Sequence, residues 1–489
     1  MIPLDNSLTS HRKVFQYNSM KSSSLGPLES EFEMVKISNE NKARIDIVYE
    51  KEELNELSVK ISSIQAGLNI INAILGMSVV SLPYTVLHGG YWSLLAMILS
   101  GIVFGYTSKI LIQCLYDEDE LGNKVRTRQS YGEIAELAFN GSLGRWIVNI
   151  AILIELIMTC ISIFIVTGDL LMGCFSFISL SITEWILISA ILLTPVVFLE
   201  NLSQVSWLGL LNVVCTAIIT LAVLIYCFTQ TSNWRPRIIE FRMDIVTFPM
   251  SLGIIIFSFT SQTLLNIIEG DLENRLDFNK VVWWSHVISV VSKLILSYFS
   301  FITFGEMTNE VITNNIPSVG LRFFLNIVFF MKSLSCLPLH FYATCSLLKE
   351  IFAETYIYGC VDSSKLRSVY RIIFRLILVF FMMLLAFSLP HFAIILGLIG
   401  SFTGTMLSLV WPAYFYVKLY NKRMHLISVI FHWIIIVVAC MFAVIGMTYS
   451  SIAMYRAVRM DITGNSTAIN TIFPIIRRPI SFRNDSVLI

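Results

Sequence analysis

Charge is what this chain has least of. Asp, Glu, Lys and Arg make up 14% of its 489 residues against 56% hydrophobic, and 34 basic side chains nearly cancel 33 acidic ones to leave +1. A soluble protein of that length needs far more polar surface, so the composition is that of a multi-span helical membrane protein. A net charge so close to zero offers no field to hold nucleic acid. Catalytic signatures are missing as well: there is no Walker A sequence, no H-E-x-x-H and no G-x-S-x-G. That leaves no basis for an ATP-driven pump, a membrane hydrolase or another enzyme. Nine cysteines occur without one C-x-x-C spacing, most of them inside apolar runs. They read as small buried hydrophobes rather than a disulfide framework or a zinc site. His88, His286, His340, His391 and His432 are dispersed and fit no metal spacing, so neither a metal nor a cofactor is expected.

No secretory signal opens the chain; the first 60 residues are polar and mixed in charge, the pattern of a disordered tail. Eleven apolar spans follow, near 64–87, 91–115, 146–172, 185–199, 205–228, 247–269, 281–304, 319–348, 370–388, 392–417 and 427–450. Lys124, Arg126, Arg128, Arg145, Arg275 and Lys280 fall in loops on one side, followed there by Lys349, Lys365, Arg367, Arg371, Arg375, Lys418, Lys422 and Arg423. The opposite loops carry little besides Arg235, Arg237 and Arg242. This bias puts the amino terminus in the cytosol, and an odd number of spans puts the carboxyl terminus on the other side. Asn465-Ser466-Thr467 and Asn484-Asp485-Ser486 are then accessible glycosylation sequons. The expected division is a cytosolic tail over 1–60, a transmembrane domain over 61–450 and a second tail over 451–489.

The first span is apolar enough to cross a bilayer, yet it contains Asn69, Asn72, Gly76, Ser78, Ser81 and Pro83. Gly76 weakens a helix and Pro83 cannot donate the backbone bond its turn requires. Five spans later, Ser258-Phe259-Thr260-Ser261-Gln262 is polar where lipid would favour Leu or Val. Peptide groups freed at bilayer depth survive only where protein or a polar cavity satisfies them. A paired interruption at corresponding places in two halves points to an inverted-repeat transporter with its site at the midplane. The plainer alternative is a pair of kinks with packing roles, since Ser and Thr can bond their own helix backbone.

Intramembrane charges narrow the picture. Glu155 lies inside the third span, Lys293 in the seventh and Lys332 in the eighth; each costs about 2.5–3.5 kcal/mol at a helix centre. Each must face a partner or a wet cavity. One reading is an interior ion pair, Glu155 with a lysine; the other is a carboxylate that binds a proton or the substrate. Glu269 and Asp169 sit nearer the interface and need less explanation, while His340 is the one histidine deep in a span. Gly101-x-x-x-Gly105 and Gly400-x-x-x-Gly404 allow close helix packing.

Several stretches carry a family resemblance: Asn72-Ala73-Ile74-x-Gly76-Met77, Leu82-Pro83-Tyr84, Leu87-His88-Gly89-Gly90, Ile154-Glu155-Leu156-x-Met158-Thr159-Cys160, Thr260-Ser261-Gln262, Glu269-Gly270, Glu310-Val311-Ile312-Thr313 with Asn315, and Pro390-His391-Phe392-Ala393. In these the chain resembles the vesicular inhibitory amino acid transporter family of the amino acid/auxin permease superfamily, from about residue 64 to 450. Two positions depart from the family pattern: Asn266 and His340 each stand where a Pro is expected. Both lie close to the expected site and bear on which amino acid is preferred.

The resemblance implies an all-α LeuT-type fold: ten core helices in two inverted five-helix repeats, plus an eleventh. It also implies a synaptic-vesicle membrane, a lumenal carboxyl terminus, and proton-driven loading of GABA or glycine, with chloride left open as a further partner. Asn72, Gly76, Met77, Ser78, Phe259, Thr260, Ser261 and Gln262 are the expected substrate-binding residues. Glu155 is the expected proton-coupling residue; Lys293, Lys332 and Glu269 are structural or coupling charges. The alternatives are a plasma-membrane or lysosomal neutral amino acid symporter, and a channel or scaffold.

Overall fold

The computed structural model describes residues 60–118, 124–175, 177–198, 202–234, 239, 245–353, 364–389, 391–421 and 424–463. The tail up to 59, Cys360, Pro390, Arg235, Arg237, Arg242, Lys422, Arg423 and the two carboxyl-terminal sequons lie outside the described residues. In chain order the helices are α1 (Ser63–Leu75), α2 (Leu82–Gln113), α3 (Tyr131–Ala138), α4 (Ser142–Cys174), α5 (Ile182–Leu193), α6 (Leu202–Thr229) and α7 (Phe248–Phe259). They continue with α8 (Gln262–Asp271), α9 (Phe278–Phe304), α10 (Val319–Ala353), α11 (Ser364–Ser388), α12 (Phe392–Ile399), α13 (Trp411–Tyr420) and α14 (Leu426–Thr463). Among the described residues, eight helices are long and apolar enough to cross a membrane, Phe248–Asp271 running through a break at Thr260 and Ser261. The shorter apolar helices Ser63–Leu75, Ile182–Phe198 and Ile372–Ser388 accompany them. The chain is thus an integral membrane protein of the helical class.

Local sequence sets several helix starts. Ser62 caps α1: its hydroxyl accepts the Gln65 amide at 3.3 Å while the Gln65 side chain accepts the Ser62 amide at 3.0 Å. Ser181 and Glu184 form the same reciprocal pair at α5. Ser130 caps α3 by accepting the Glu133 amide at 3.2 Å. That short helix, and a hairpin pairing Tyr116–Glu118 with Lys124–Arg126, fill a connection that the sequence presents as loop.

Helix boundaries depart from expectation in three places. The first and second apolar spans share α2, whose halves meet at Gly90 with φ 52°, ψ −137°, a left-handed turn that glycine adopts without Cβ strain. Residues 400–404 and 406–410 form π-helical turns between α12 and α13. The last helix continues past 450 to Thr463.

Packing brings early and late helices together. α2 lies against α7 and α9, α10 against α4 and α6, and α12 against α7. Glycine permits the tightest of these approaches. A Cβ on Gly253 would stand 2.3 Å from the Gly397 carbonyl oxygen, and one on Gly400 1.9 Å from that of Gly253. Here α7 and the α12 segment touch backbone to backbone. Gly101 seats α2 on α9 against side chain rather than backbone: a Cβ there would stand 2.0 Å from a Val290 methyl and 3.6 Å from the Phe259 ring.

Candidate functional site

The two interruptions fall where the sequence puts them. α1 stops at Leu75, Gly76 leaves helical geometry (φ 0°, ψ −156°), and Met77–Ser81 form one 3-10 turn. Pro83 then occupies the first turn of α2, where its missing N–H costs nothing. α7 stops at Phe259; Thr260 is extended and Ser261 irregular before α8 begins at Gln262. Met77, Ser78, Phe259, Ser261 and Gln262 are buried, while Asn72, Gly76 and Thr260 are half-buried.

A helix that ends in mid-bilayer presents carbonyls without intrahelical partners and the negative end of its dipole. Each such end meets a buried lysine. Lys332 of α10 donates to the Gly76 carbonyl at 2.6 Å. Lys293 of α9 donates to the Ser258 carbonyl at 2.5 Å and to its hydroxyl at 3.0 Å, and stands 3.5 Å over the Phe259 ring. Among the described residues no carboxylate is within salt-bridge distance of either lysine. The ion pair considered for Glu155 does not form; a helix end supplies the counter-charge instead.

Glu155, on α4, lies against Thr403 in the π-helical segment and His340 of α10. It is 8% exposed, and its Oε2 has no hydrogen-bond donor. A buried carboxylate oxygen without a donor is a place where a proton or an ammonium group is strongly favoured. The structure therefore brings His340 to Glu155, while its own Nδ1 stays 2.9 Å from the Cys336 carbonyl. Gln262 is engaged elsewhere: it donates to Ser108 at 3.4 Å and accepts from Ser408 at 2.7 Å and from the Ser261 amide at 3.0 Å. It braces α8 between α2 and the π segment.

Ties close over the site from two directions. At one end, Ile61 donates to the Asp271 carbonyl at 2.9 Å and accepts from Glu273 at 3.0 Å, joining the start of α1 to the end of α8. Glu269 anchors this face, with Arg126 Nη1 at 3.3 Å, Arg275 Nε at 3.9 Å and a hydrogen bond from the Tyr116 hydroxyl. Burial, and then the bond to Glu269, pushes the Tyr116 phenol up to about 12. A cavity of about 750 Å³ opens here, lined by Lys109, Tyr116, Arg126, Glu269 and Arg275 among others, but by none of the unwound residues. Sequence reasoning used Arg126 only for topology and did not single out Tyr116.

At the other end, the loop over 305–318 between α9 and α10 is held from several sides. Ser81 donates to the Glu310 carbonyl at 2.6 Å, and the Glu310 carboxyl accepts the Ala393 amide of α12 at 2.9 Å. Asn314 donates to Asp169 of α4 at 2.8 Å and accepts from Asn326 of α10 at 2.8 Å. Asp169, set aside in the sequence as an interfacial charge, is one of the groups that seat this loop.

The geometry has relatives. Residues 59–456 match the family described as transmembrane amino acid transporter protein. The vesicular inhibitory amino acid transporter of Xenopus tropicalis is 36% identical over 410 residues, 82% of this chain and 79% of that protein. The vesicular GABA transporter of Caenorhabditis elegans is 35% identical over 407 residues, 82% of either chain. A plant protein, amino acid transporter AVT1E of Arabidopsis thaliana, is 26% identical over 398 residues, 80% of this chain and 72% of its own. Since the matched stretch takes in both interrupted helices and both lysines, the chain belongs to the transmembrane amino acid transporter family.

Proposed function

We propose that this protein loads GABA, glycine or both into synaptic vesicles in exchange for lumenal protons. The observation that carries the reading is the pair of interrupted helices, one in each half, each with a buried lysine on the end that stops. An amino acid zwitterion needs its carboxylate and ammonium desolvated together. The amides opening the Met77–Ser81 turn offer donors for the carboxylate, and Phe259, Thr260 and Ser261 form the facing wall. Glu155 exchanges the proton or pairs with the amine, with Asn72 tuning it. The architecture is a LeuT-type arrangement of α1 to α13, two inverted five-helix repeats, with α14 as the eleventh span. The amino-terminal tail is cytosolic, the segment after α14 is lumenal, and chloride is varied as a test of its part.

One proton suffices on magnitude. Concentrating a neutral zwitterion about 100-fold costs roughly 2.7 kcal/mol. A proton leaving down about 100 mV contributes roughly 2.3 kcal/mol, and each pH unit adds about 1.4 kcal/mol. The test is uptake of labelled GABA and glycine into proteoliposomes with an imposed inside-acid gradient. Accumulation by the parent protein and its loss in a folded Glu155→Gln variant are expected. Normal loading by that variant removes Glu155 from the coupling role, and uptake only under the reversed gradient makes the protein a symporter.

A further inference from the structure

The loop over 305–318 holds titratable groups that the substrate site does not use. Glu310 ties it to the first turn of α12, and α12 leads into the π segment that faces Glu155. Among the described residues, the charged or titratable groups facing Glu310 are Asp169 of α4, Tyr84 of α2 and His391, which precedes α12. His88 stacks edge-on against Tyr84 with ring centroids 4.6 Å apart. We propose that Glu310 is a proton-coupling residue of the carrier: the loop is shut with Glu310 protonated and is released when that proton leaves.

The chemistry is a simple protonation, carboxylate plus a proton from the surrounding water giving the acid, reversed on opening. A protonated Glu310 still accepts the Ala393 amide through its carbonyl oxygen, so the tie survives. Two half-buried carboxyls within electrostatic reach, Glu310 and Asp169, repel when both are charged. Lost hydration holds the Glu310 carboxyl above the usual carboxylate range, against the opposing pull of the Ala393 amide and His391. A group whose proton affinity is higher in the shut loop stabilises that form at low pH and ceases to do so as pH rises through its shut-form value. An acid lumen therefore shuts this face once substrate has left, which is the return step an exchanger needs. The inference rests on the exchange reading above.

The test is made in nanodiscs, without substrate or gradient. Thr313, a fully buried residue of the loop whose hydroxyl has no hydrogen-bond partner, is replaced by Cys. Its labelling by a hydrophilic maleimide is read by peptide mass spectrometry and divided by the rate for unfolded protein at the same pH. Between about pH 7.5 and about pH 5.5 the normalised rate is expected to fall about tenfold, the equivalent of one unit of raised proton affinity. Glu310→Gln is expected to label slowly at both pH values, and Glu310→Asp to keep the slope. A parent protein without a slope overturns the proposal. So does a slope that survives Glu310→Gln, or one that Glu310→Asp loses. If the parent protein fails to transport under an imposed gradient, the exchange reading falls while the labelling slope still reports on the loop.

Discussion

The two interruptions solve one problem with different parts. The first spans a whole 3-10 turn, Met77–Ser81, and its orphan carbonyl is met by a lysine from α10, far along the chain. The second is only Thr260 and Ser261, and its lysine comes from α9, the next long helix. Lys293 makes three contacts, two with Ser258 and one with the Phe259 ring, whereas Lys332 makes one short hydrogen bond. The ring beside Lys332, that of Phe329, is 5.8 Å from its ammonium. The second break is therefore pinned by its lysine at three contacts and the first at one, the first having a further tie through the Ser81 hydroxyl. That difference predicts more movement at the first break than at the second.

Removing the lysines one at a time should break the comparison most visibly. Burying a lone ammonium costs about 2.5–3.5 kcal/mol at a helix centre, while an orphaned buried carbonyl costs about 1–3 kcal/mol. Lys332→Met exchanges one for the other, so its stability should stay within about 1 kcal/mol of the parent. Its GABA or glycine uptake should fall at least about tenfold, because the Gly76 carbonyl loses its single donor. Lys293→Met is relieved of the same burial cost but gives up a second hydrogen bond and a ring contact besides, so it should be less stable than Lys332→Met by about 1–3 kcal/mol. Thermal unfolding in detergent beside uptake in proteoliposomes separates the two. Equal stability losses would erase the distinction between a mobile and a pinned break.

The first break was easy to read because its cause is covalent: Gly76 weakens a helix, and Pro83 is suited to a helix only in its first turn, so a helix has to begin there. The second announced itself through Ser258, Thr260, Ser261 and Gln262, whose hydroxyls and amide are also compatible with an intact helix; only the matching position in the other half favoured a break. The lysines were visible as costs, but not their partners, because a backbone carbonyl carries no signature in a residue string. An acid was therefore the natural partner to consider, and Glu155 the natural acid. The pairing of Glu155 with Thr403 and His340 depends on a π-helical turn at 400–410 that no residue pattern marks. Arg126, Tyr116 and Glu310 escaped for a related reason: their partners lie more than eighty residues away in sequence.

Glycine contacts should sharpen the comparison at the next level of effect. Gly253→Ala places a Cβ against the Gly397 carbonyl oxygen, which belongs to helix backbone and cannot swing aside. Overpacking of this kind costs about 1–3 kcal/mol, and it should also move α12 away from the pinned break. Gly101→Ala meets a Val290 methyl, which yields by a shift of a side chain rather than of a helix backbone, and should cost less than Gly253→Ala. The order of the two melting temperatures checks this.

The smallest contrast lies between two serines. Ser258→Ala removes the longer of Lys293's two hydrogen bonds and leaves the carbonyl contact and the ring contact in place. A loss of about 0.5 kcal/mol or less is expected, with uptake unchanged. Ser81→Ala removes the hydroxyl that joins the first break to the Glu310 carbonyl at 2.6 Å, a fully buried group. That should cost about 1 kcal/mol and loosen the loop over 305–318 at every pH, because a backbone carbonyl does not titrate. Labelling at Thr313→Cys in the Ser81→Ala background should therefore rise while keeping the pH slope that Glu310 confers. If the slope vanished along with the hydroxyl, the carboxyl would not act independently of the first break, and the two halves would have to move as one.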